Sequence, residues 1–414
     1  MSRTYDLVIF GATGFTGSLV CEYLVQSSNK DVRWAIAGRN SKKLQDVKAK
    51  LVELDSECES RVDILIGDSG DRESLDRIVR QTRVVLSTVG PFTKYGGPLV
   101  EACVENKTHY IDSTGEYNFV KSLIDKHHEK ARQEGTFIVP CCGFDSIPSD
   151  LGTFMVCDYI RKKHNIGIEN VKCSVVSFEG GLSGGTYQSF VEVMGDDNIS
   201  LMQSLDPYLL SPMRGKDSIP SIMMRRDKDF DKRWQTFWAM APTNERIVRR
   251  TWALLAERGE GYGPAFRYHE TLSMKFFSAF AFTTVMVLLG PLIIPLLRMR
   301  LTRNRVAKLL PTSGEGPTRE EIENSTWEVQ LVATSEKGSS NQSVRVRGTV
   351  KGFKHGGYGD TARMLIESAL CLVKDHDMLP AKEGGVLTTA SAFGNVLLER
   401  LRADGKMIFE TEEL

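Results

Sequence analysis

Residues 5–17 read Tyr5-Asp6-Leu7-Val8-Ile9-Phe10-Gly11-Ala12-Thr13-Gly14-Phe15-Thr16-Gly17, and their reading decides the fold. Residues 5–10 are apolar enough for one buried parallel strand and too short for a helix. The three glycines follow without a break, and residues 18–26 carry helical spacing through Leu19, Val20, Tyr23 and Leu24. Strand, glycine turn and helix together form the context that a dinucleotide fingerprint requires. A glycine there lets the backbone approach a pyrophosphate, which rests on the positive end of the helix. Gly11, Ala12, Thr13, Gly14, Phe15, Thr16 and Gly17 are therefore the candidate phosphate cradle.

Working outward, residues 32–37 read as a second strand. An acidic residue closing this strand would mark NAD. The chain instead reads Gly38-Arg39-Asn40-Ser41-Lys42-Lys43. A guanidinium in place of a carboxylate suits a 2′-phosphate, so Arg39 favours NADP. Residues 61–67 form a third strand ending at Asp68, which either meets the adenine amine or caps the helix that follows. A fourth strand, 83–89, delivers Val89, Gly90 and Pro91 to the carboxyl edge, where they should border the ribose and nicotinamide. A helix is expected over 98–106, further strands over 108–112 and 136–140, and a helix over 117–134 between them. The regular alternation predicts an α/β fold with a Rossmann-type, doubly wound parallel sheet over residues 1–150. Tyr117 and Lys121 have the spacing of a reductase proton relay, but they lie too early in the fold, and chance supplies such a pair about once in a chain of this composition.

At 414 residues the chain exceeds what one core comfortably fills, and a second domain is expected. Basic and acidic residues balance at 53 each, which gives no field for nucleic acid. The eight cysteines show neither Cys-x-x-Cys nor Cys/His ligand spacing, so no metal is expected. With the first strand so close to Met1, the expectation is a cytosol-facing protein with no signal peptide.

The second half is expected to be an α+β domain over 151–390, with a C-terminal helix over 391–414 returning to the first domain. Residues 171–178 read as a strand, followed by a glycine-rich loop that brings Ser183, Thr186 and Tyr187 toward a helix. That loop either receives a polar substrate group or is a tight turn. Residues 327–333 and 344–350 alternate as two more strands, and 361–374 and 391–403 read as helices. Residues 276–297, FFSAFAFTTVMVLLGPLIIPLL, carry no charge and are followed by Arg298, Arg300, Arg303, Arg305 and Lys308. The length suits a membrane span, but Pro291 and Pro295 argue against one straight helix. A span would also put parts of one domain on opposite membrane faces. Attachment to a membrane or lipid-droplet surface is the favoured reading, with a buried core helix, an oligomer interface or a true span as alternatives.

Several stretches together resemble the saccharopine dehydrogenase-like oxidoreductase family: GATGFTG at 11–17, AGR at 37–39, VGPF at 89–92, YIDSTGE at 110–116 and GFDSIPSD at 143–150. Gly316-Pro317-Thr318 and GGVLT at 384–388 agree with it. The resemblance implies an NADP-binding Rossmann domain, a mixed-sheet substrate domain and a possible homodimer. Its branches include saccharopine reductases, bacterial trans-acting enoyl reductases and an animal, lipid-droplet-associated group, which this chain resembles most. It transfers a fold and a cofactor more firmly than a reaction. Hydride transfer from NADPH to a hydrophobic carbonyl or enoyl substrate fits the parts present, and the apolar segment tilts the substrate toward lipid. Asp145, Ser146, Tyr187 and Ser183 are the candidate proton donors. The alternatives are a non-catalytic NADP-binding protein of a lipid surface and a soluble saccharopine dehydrogenase of lysine metabolism.

Overall fold

The computed structural model describes residues 3–414 other than 182–183, 185–187, 190, 192, 194, 196–199, 218–222, 232, 308–315 and 339–340. Its first half alternates strand and helix: β1 (Tyr5–Phe10), α1 (Phe15–Gln26), β2 (Trp34–Gly38), α2 (Ser41–Leu54), β3 (Val62–Ile66), α3 (Arg72–Val79) and β4 (Thr82–Ser87). It continues through α4 (Phe92–Glu105), β5 (His109–Asp112), α5 (Tyr117–Gln133), β6 (Phe137–Val139) and α6 (Ile147–His164). These strands form an all-parallel sheet in the order 3-2-1-4-5-6, and a seventh, β13 (Gly385–Val386), joins beside β6. β2 is buried along its whole length, as expected for a central parallel strand covered on both faces. α4 begins at Phe92 rather than 98, because Glu116 accepts from the first backbone N–H groups and lets Pro98 sit inside the helix.

The second sheet is mixed, with strand order β14-β12-β11-β7-β10-β9-β8. It contains β7 (Ile168–Phe178), β8 (Arg225–Arg226), β9 (Trp234–Thr236), β10 (Arg267–Met274), β11 (Trp327–Ser335), β12 (Arg345–Gly352) and β14 (Met407–Glu413). The helix α7 (Ala241–Glu257) leads toward β10, which pairs parallel to β7, whereas β11 pairs antiparallel on its other side. β14 corrects the expectation that 391–414 is simply a helix. α12 (Thr389–Arg402) ends at Ala403, and the chain then extends along β12, because Met407 and Phe409 bury alternately while the residues between face outward.

α6 lies between the sheets and is buried on nearly every side, which explains why its sequence shows little amphipathic contrast. One continuous core joins Leu7 and Ile9 of the first sheet, through Leu151 and Val156 of α6, to Cys173, Leu331 and Val350 of the second. α11 (Thr361–Lys374) packs on α1 and α12 and completes this layer.

After β10 the chain leaves the sheet as α8 (Phe276–Arg298) and α9 (Arg300–Ala307) before α10 (Arg319–Asn324) leads back to β11. α8 continues as one helix through Pro291 and Pro295. The prolines are four apart, so both lost donors fall on one face, and both residues are exposed, leaving the freed carbonyls open to solvent. Only Ala279 and Thr283 are buried among its first eighteen residues, while Phe277 is 83% and Leu288 64% exposed. Its residues 276–293 are long and apolar enough to cross a membrane by length and composition.

Candidate active site

The turn from β1 to α1 is built by two glycines that nothing larger replaces. Gly11 has φ +98°, and a Cβ on Gly17 would stand 2.2 Å from the Gly11 carbonyl oxygen. The Thr88 hydroxyl donates to that same carbonyl at 3.2 Å, tying the turn to the end of β4. Gly14 occupies the N-cap of α1, no side chain caps the helix, and no acidic residue stands in its first turn. Its first N–H groups and positive dipole end are thus free of any competing side-chain anion, which suits a pyrophosphate.

Arg39 follows β2 directly, is exposed, and makes no hydrogen bond or ion pair with any described residue. Asn40 caps α2 by accepting from the Lys43 N–H at 3.0 Å, so the neighbouring polar residue is occupied and the guanidinium is not. Asp68 lies at the same edge, exposed after β3. Its carboxylate accepts from Gly70 N–H at 2.9 Å, and the cap of the next helix is Asp71 instead. Val89, Gly90 and Pro91 reach the carboxyl edge beside Gly11, whose notional Cβ would touch the Val89 side chain. All twelve candidate cofactor residues therefore lie on one edge of one sheet.

Glu116 is a residue that sequence reading passed over. It is buried, and its carboxylate accepts from Phe92 N–H at 2.9 Å and Thr93 N–H at 2.7 Å. It holds the start of α4, and hence the Gly90–Pro91 turn, against the loop after β5. Asp112 anchors that loop in turn, accepting from Thr114 N–H at 2.9 Å and Cys141 N–H at 3.1 Å. Complete burial pushes the Asp112 carboxyl up to about 7.

The loop after β6 carries Asp145 and Ser146, which the structure places very differently. Ser146 is fully buried at the start of α6, and its hydroxyl finds no partner among the described residues. That burial removes it from contact with a substrate. Asp145 is partly exposed and makes no hydrogen bond or ion pair with a described residue. Its Oδ2 would be 3.5 Å from a Cβ on Gly115, whose carbonyl accepts from the Thr243 hydroxyl of α7 at 2.8 Å. Asp145 thus stands where the first sheet's carboxyl edge meets the second domain. Loss of hydration, followed by the nearby Glu270 carboxylate, pushes its carboxyl up to about 7. Ser183 and Tyr187 lie outside the described residues.

Glu270, on β10, faces this junction and was not legible beforehand. It is buried, accepting from Asn244 Nδ2 at 2.8 Å and from the Tyr268 hydroxyl at 2.9 Å, and burial raises its pKa. Trp238 and Ser149 also donate toward it. Tyr117 and Lys121, set aside earlier, have other neighbours: Arg246 lies 4.5 Å over the Tyr117 ring, and Lys121 pairs with Asp125. Among the described residues no cluster of His, Cys, Asp and Glu is arranged to hold a metal. A cleft of about 610 Å³ lies elsewhere, between Phe154, Asn165, Tyr262 and Val396. Because it touches none of the glycine turn, Arg39 or Asp145, the chemistry is assigned to the sheet edge.

Residues 7–139 match the family model of the saccharopine dehydrogenase NADP-binding domain. A Mycobacterium tuberculosis protein provisionally assigned as a trans-acting enoyl reductase is 36% identical, over 97% of this chain and 96% of its own. The trans-acting enoyl reductase of Mycobacterium leprae is 34% identical, over 99% of this chain and 98% of its own. Saccharopine dehydrogenase (L-Glu forming) from Saccharomyces cerevisiae superimposes with a TM-score of 0.56 at 11% identity, covering 99% of this chain and 100% of that one, a likeness of fold. An uncapped glycine turn followed by Arg39, together with full-length likeness to these reductases, leads to one conclusion: the chain belongs to the saccharopine dehydrogenase-like family of NADP-dependent oxidoreductases.

Proposed function

We propose that this protein is an NADPH-dependent reductase of a hydrophobic enoyl substrate, with Asp145 as its proton donor, working at a lipid surface. The observation that carries the reading is Asp145 itself. It is the candidate donor that is both accessible and unpaired among the described residues, and its carboxyl is held near neutral pH. A general acid works best when its pKa lies near the operating pH. The names of the mycobacterial relatives support an enoyl group as the acceptor.

When bound, NADPH supplies a hydride to the β-carbon of the conjugated alkene. The glycine turn and α1 would hold the pyrophosphate, and Arg39 would hold the 2′-phosphate. Glu116 fixes the Gly90–Pro91 turn, which would border the nicotinamide. Asp145 would deliver its proton to the α-carbon of the substrate, which balances the hydride gained at the β-carbon. Asp145 leaves as carboxylate and is reprotonated from water. Loss of hydration, with the Glu270 carboxyl beside it, favours the acid form of Asp145 between turnovers.

A lysine-pathway saccharopine dehydrogenase is disfavoured because its substrate carries several carboxylates. No basic side chain among the described residues acts on Asp145; the charge that reaches it is another carboxylate. The three arginines of α7 are already engaged: Arg249 with Asp217 and Glu245, Arg250 with Leu210 and Val386 carbonyls, and Arg246 with the Asp206 carbonyl.

The lipid surface is supported by α8, whose exposed apolar side chains have no covering element among the described residues. β10 and β11 flank β7 in one sheet, so the chain leaves and returns to the same body, which favours a helix lying in the interface over one that crosses it. A lipid droplet is one such surface, and a cytosol-facing location follows from this reading. NADPH oxidation against enoyl, ketone and saccharopine-type substrates tests the function. Turnover of enoyl thioesters that falls about 10²–10⁴-fold in Asp145→Asn, with NADPH affinity kept, is the expected result. Tight NADPH binding with no turnover on any substrate would establish the non-catalytic alternative instead.

A further inference from the structure

A half-exposed apolar strip leads away from Glu270 along one face of the second sheet. Strand side chains alternate between faces, so Glu270, Leu272 and Met274 of β10 point the same way. Trp234 of β9 pairs directly with Met274, and Thr236 with Leu272, which puts them on that face too. The opposite face is polar, where the Ser174 hydroxyl bonds the Gln235 side-chain oxygen at 2.8 Å and lies 2.9 Å from the Ser273 hydroxyl.

The strip joins two features already described. At its inner end the Trp238 indole reaches Glu270, and the Trp238 ring lies 6.1 Å from Phe178, which stands 5.2 Å from Phe144, the residue before Asp145. At its outer end the Trp234 ring is 5.3 Å from Phe276, the first residue of α8. Leu272, Met274, Trp234, Trp238 and Phe178 are each partly exposed. On β9 and β10 no described charged side chain stands on this face between Glu270 and Phe276; Arg226 of β8, paired with Trp234, shares the face at its rim. Arg226 lies 6.0 Å over the Trp234 ring, at the outer rim, and Lys275 is exposed. From Glu270 to Phe276 the strand rise gives about 20 Å, the length of a long acyl chain and far more than a crotonyl group needs.

We infer that this strip seats the acyl tail of the substrate, with the conjugated end at Asp145 and the tail running over Trp238, Leu272, Met274 and Trp234 to the first turn of α8. The reductase is then selective for long-chain thioesters or esters drawn from an apolar phase. The inference rests on the assignment of Asp145 as the proton donor. Continuity from the reacting group to a helix fit for lipid names the occupant, since a water-soluble short-chain substrate has no use for such a track.

The test uses the full-length protein and two independent readouts. Crotonyl, octenoyl and hexadecenoyl thioesters compared with NADPH should show KM falling about two- to four-fold per added methylene over the reach of the strip. Met274→Glu should raise the hexadecenoyl KM at least ten-fold and leave the crotonyl KM nearly unchanged. Binding is read separately by tryptophan fluorescence, since Trp34, Trp252 and Trp327 are buried and Trp234 and Trp238 are not. A brominated hexadecanoyl thioester should quench wild-type emission, and the quench should vanish in Trp234→Phe/Trp238→Phe. Equal KM values for all three lengths, with turnover intact, overturn the acyl seat and leave the reductase standing. Absence of turnover on every length with quenching retained overturns the Asp145 assignment and leaves the seat standing. A quench that persists in the double variant overturns the seat, as does sedimentation showing a second copy of the chain on this face together with no quenching.

Discussion

Asp145 sets the strongest expectations at the scale of single residues. Its carboxyl is raised to about 7 from an ordinary value of 3.8, so it donates a proton below about pH 7 and loses that ability above it. Reduction should therefore slow as pH rises through about 7, and Asp145→Asn should abolish that limb of the pH–rate profile. The same shift makes a statement about stability. A group whose pKa is higher in the folded state favours folding below its unfolded value and loses that contribution as pH rises toward the folded one. Denaturant titrations of wild type and Asp145→Asn should accordingly diverge between about pH 4 and 7, with the wild type losing ground as it ionises.

Arg39 and Glu116 carry the other residue-level expectations. Removing the guanidinium in Arg39→Ala should weaken NADPH by about 10–100-fold while leaving NADH nearly unchanged, the size of a lost charge-assisted hydrogen bond set. Titration calorimetry with both cofactors checks this, and equal losses would argue against 2′-phosphate recognition. Glu116→Ala leaves Phe92 and Thr93 N–H groups buried without an acceptor, at a cost of about 1–3 kcal/mol. Arg39 was legible because a strand end followed by a cation is a local pattern. Glu116 was quoted within a motif without a role, because its partners stand 24 and 23 residues away and nothing local reveals them.

Elements differ in how openly they announce themselves. β1, β2 and β4 are short apolar runs between turns, and their positions follow from composition. β10 escaped notice because RYHETLSM reads as polar. Its polar groups are consumed inside the sheet, with Glu270 bonded by Asn244 and Tyr268 and Ser273 lying 2.9 Å from the Ser174 hydroxyl, and only tertiary partners make that burial tolerable. The site was half legible for the same reason: its cofactor edge is local and its β10 wall is not. β14 was missed because MIFETEE follows a helix and gains strand character only from β12 beside it.

α8 was visible by hydropathy, and its continuity through two prolines was not, since that depends on which face the prolines share. The prediction at this scale is direct. Replacing Phe277, Leu288 and Leu292 by Glu should abolish flotation with phospholipid vesicles and leave the thermal midpoint within about a degree or two, because these side chains are 83%, 64% and 62% exposed. Unchanged flotation would remove the lipid surface from the account.

Across the whole molecule, the shared core means that the two sheets are not independent units. Leu151 and Val156 of α6 belong to the same packed cluster as Leu7 and Leu331. Heating should give a single cooperative transition, and NADPH bound only to the first sheet should raise the midpoint of the entire chain. At one hundred times its dissociation constant the cofactor adds about 2.7 kcal/mol. Differential scanning calorimetry that resolves two transitions, with only one moved by NADPH, would show the sheets to be separable.

The strand β13 has a temporal meaning. It closes the edge of the cofactor-binding sheet beside β6, yet it is synthesised about 250 residues later, which at ribosomal speeds of 5–20 residues per second is a delay of roughly ten to fifty seconds. Throughout that interval Phe137–Val139 of the nascent chain lacks its outer neighbour. The cofactor domain is thus translated first and finished nearly last, so a stalled or shortened message would release a nucleotide-binding half with an open sheet edge, ready to pair with another strand.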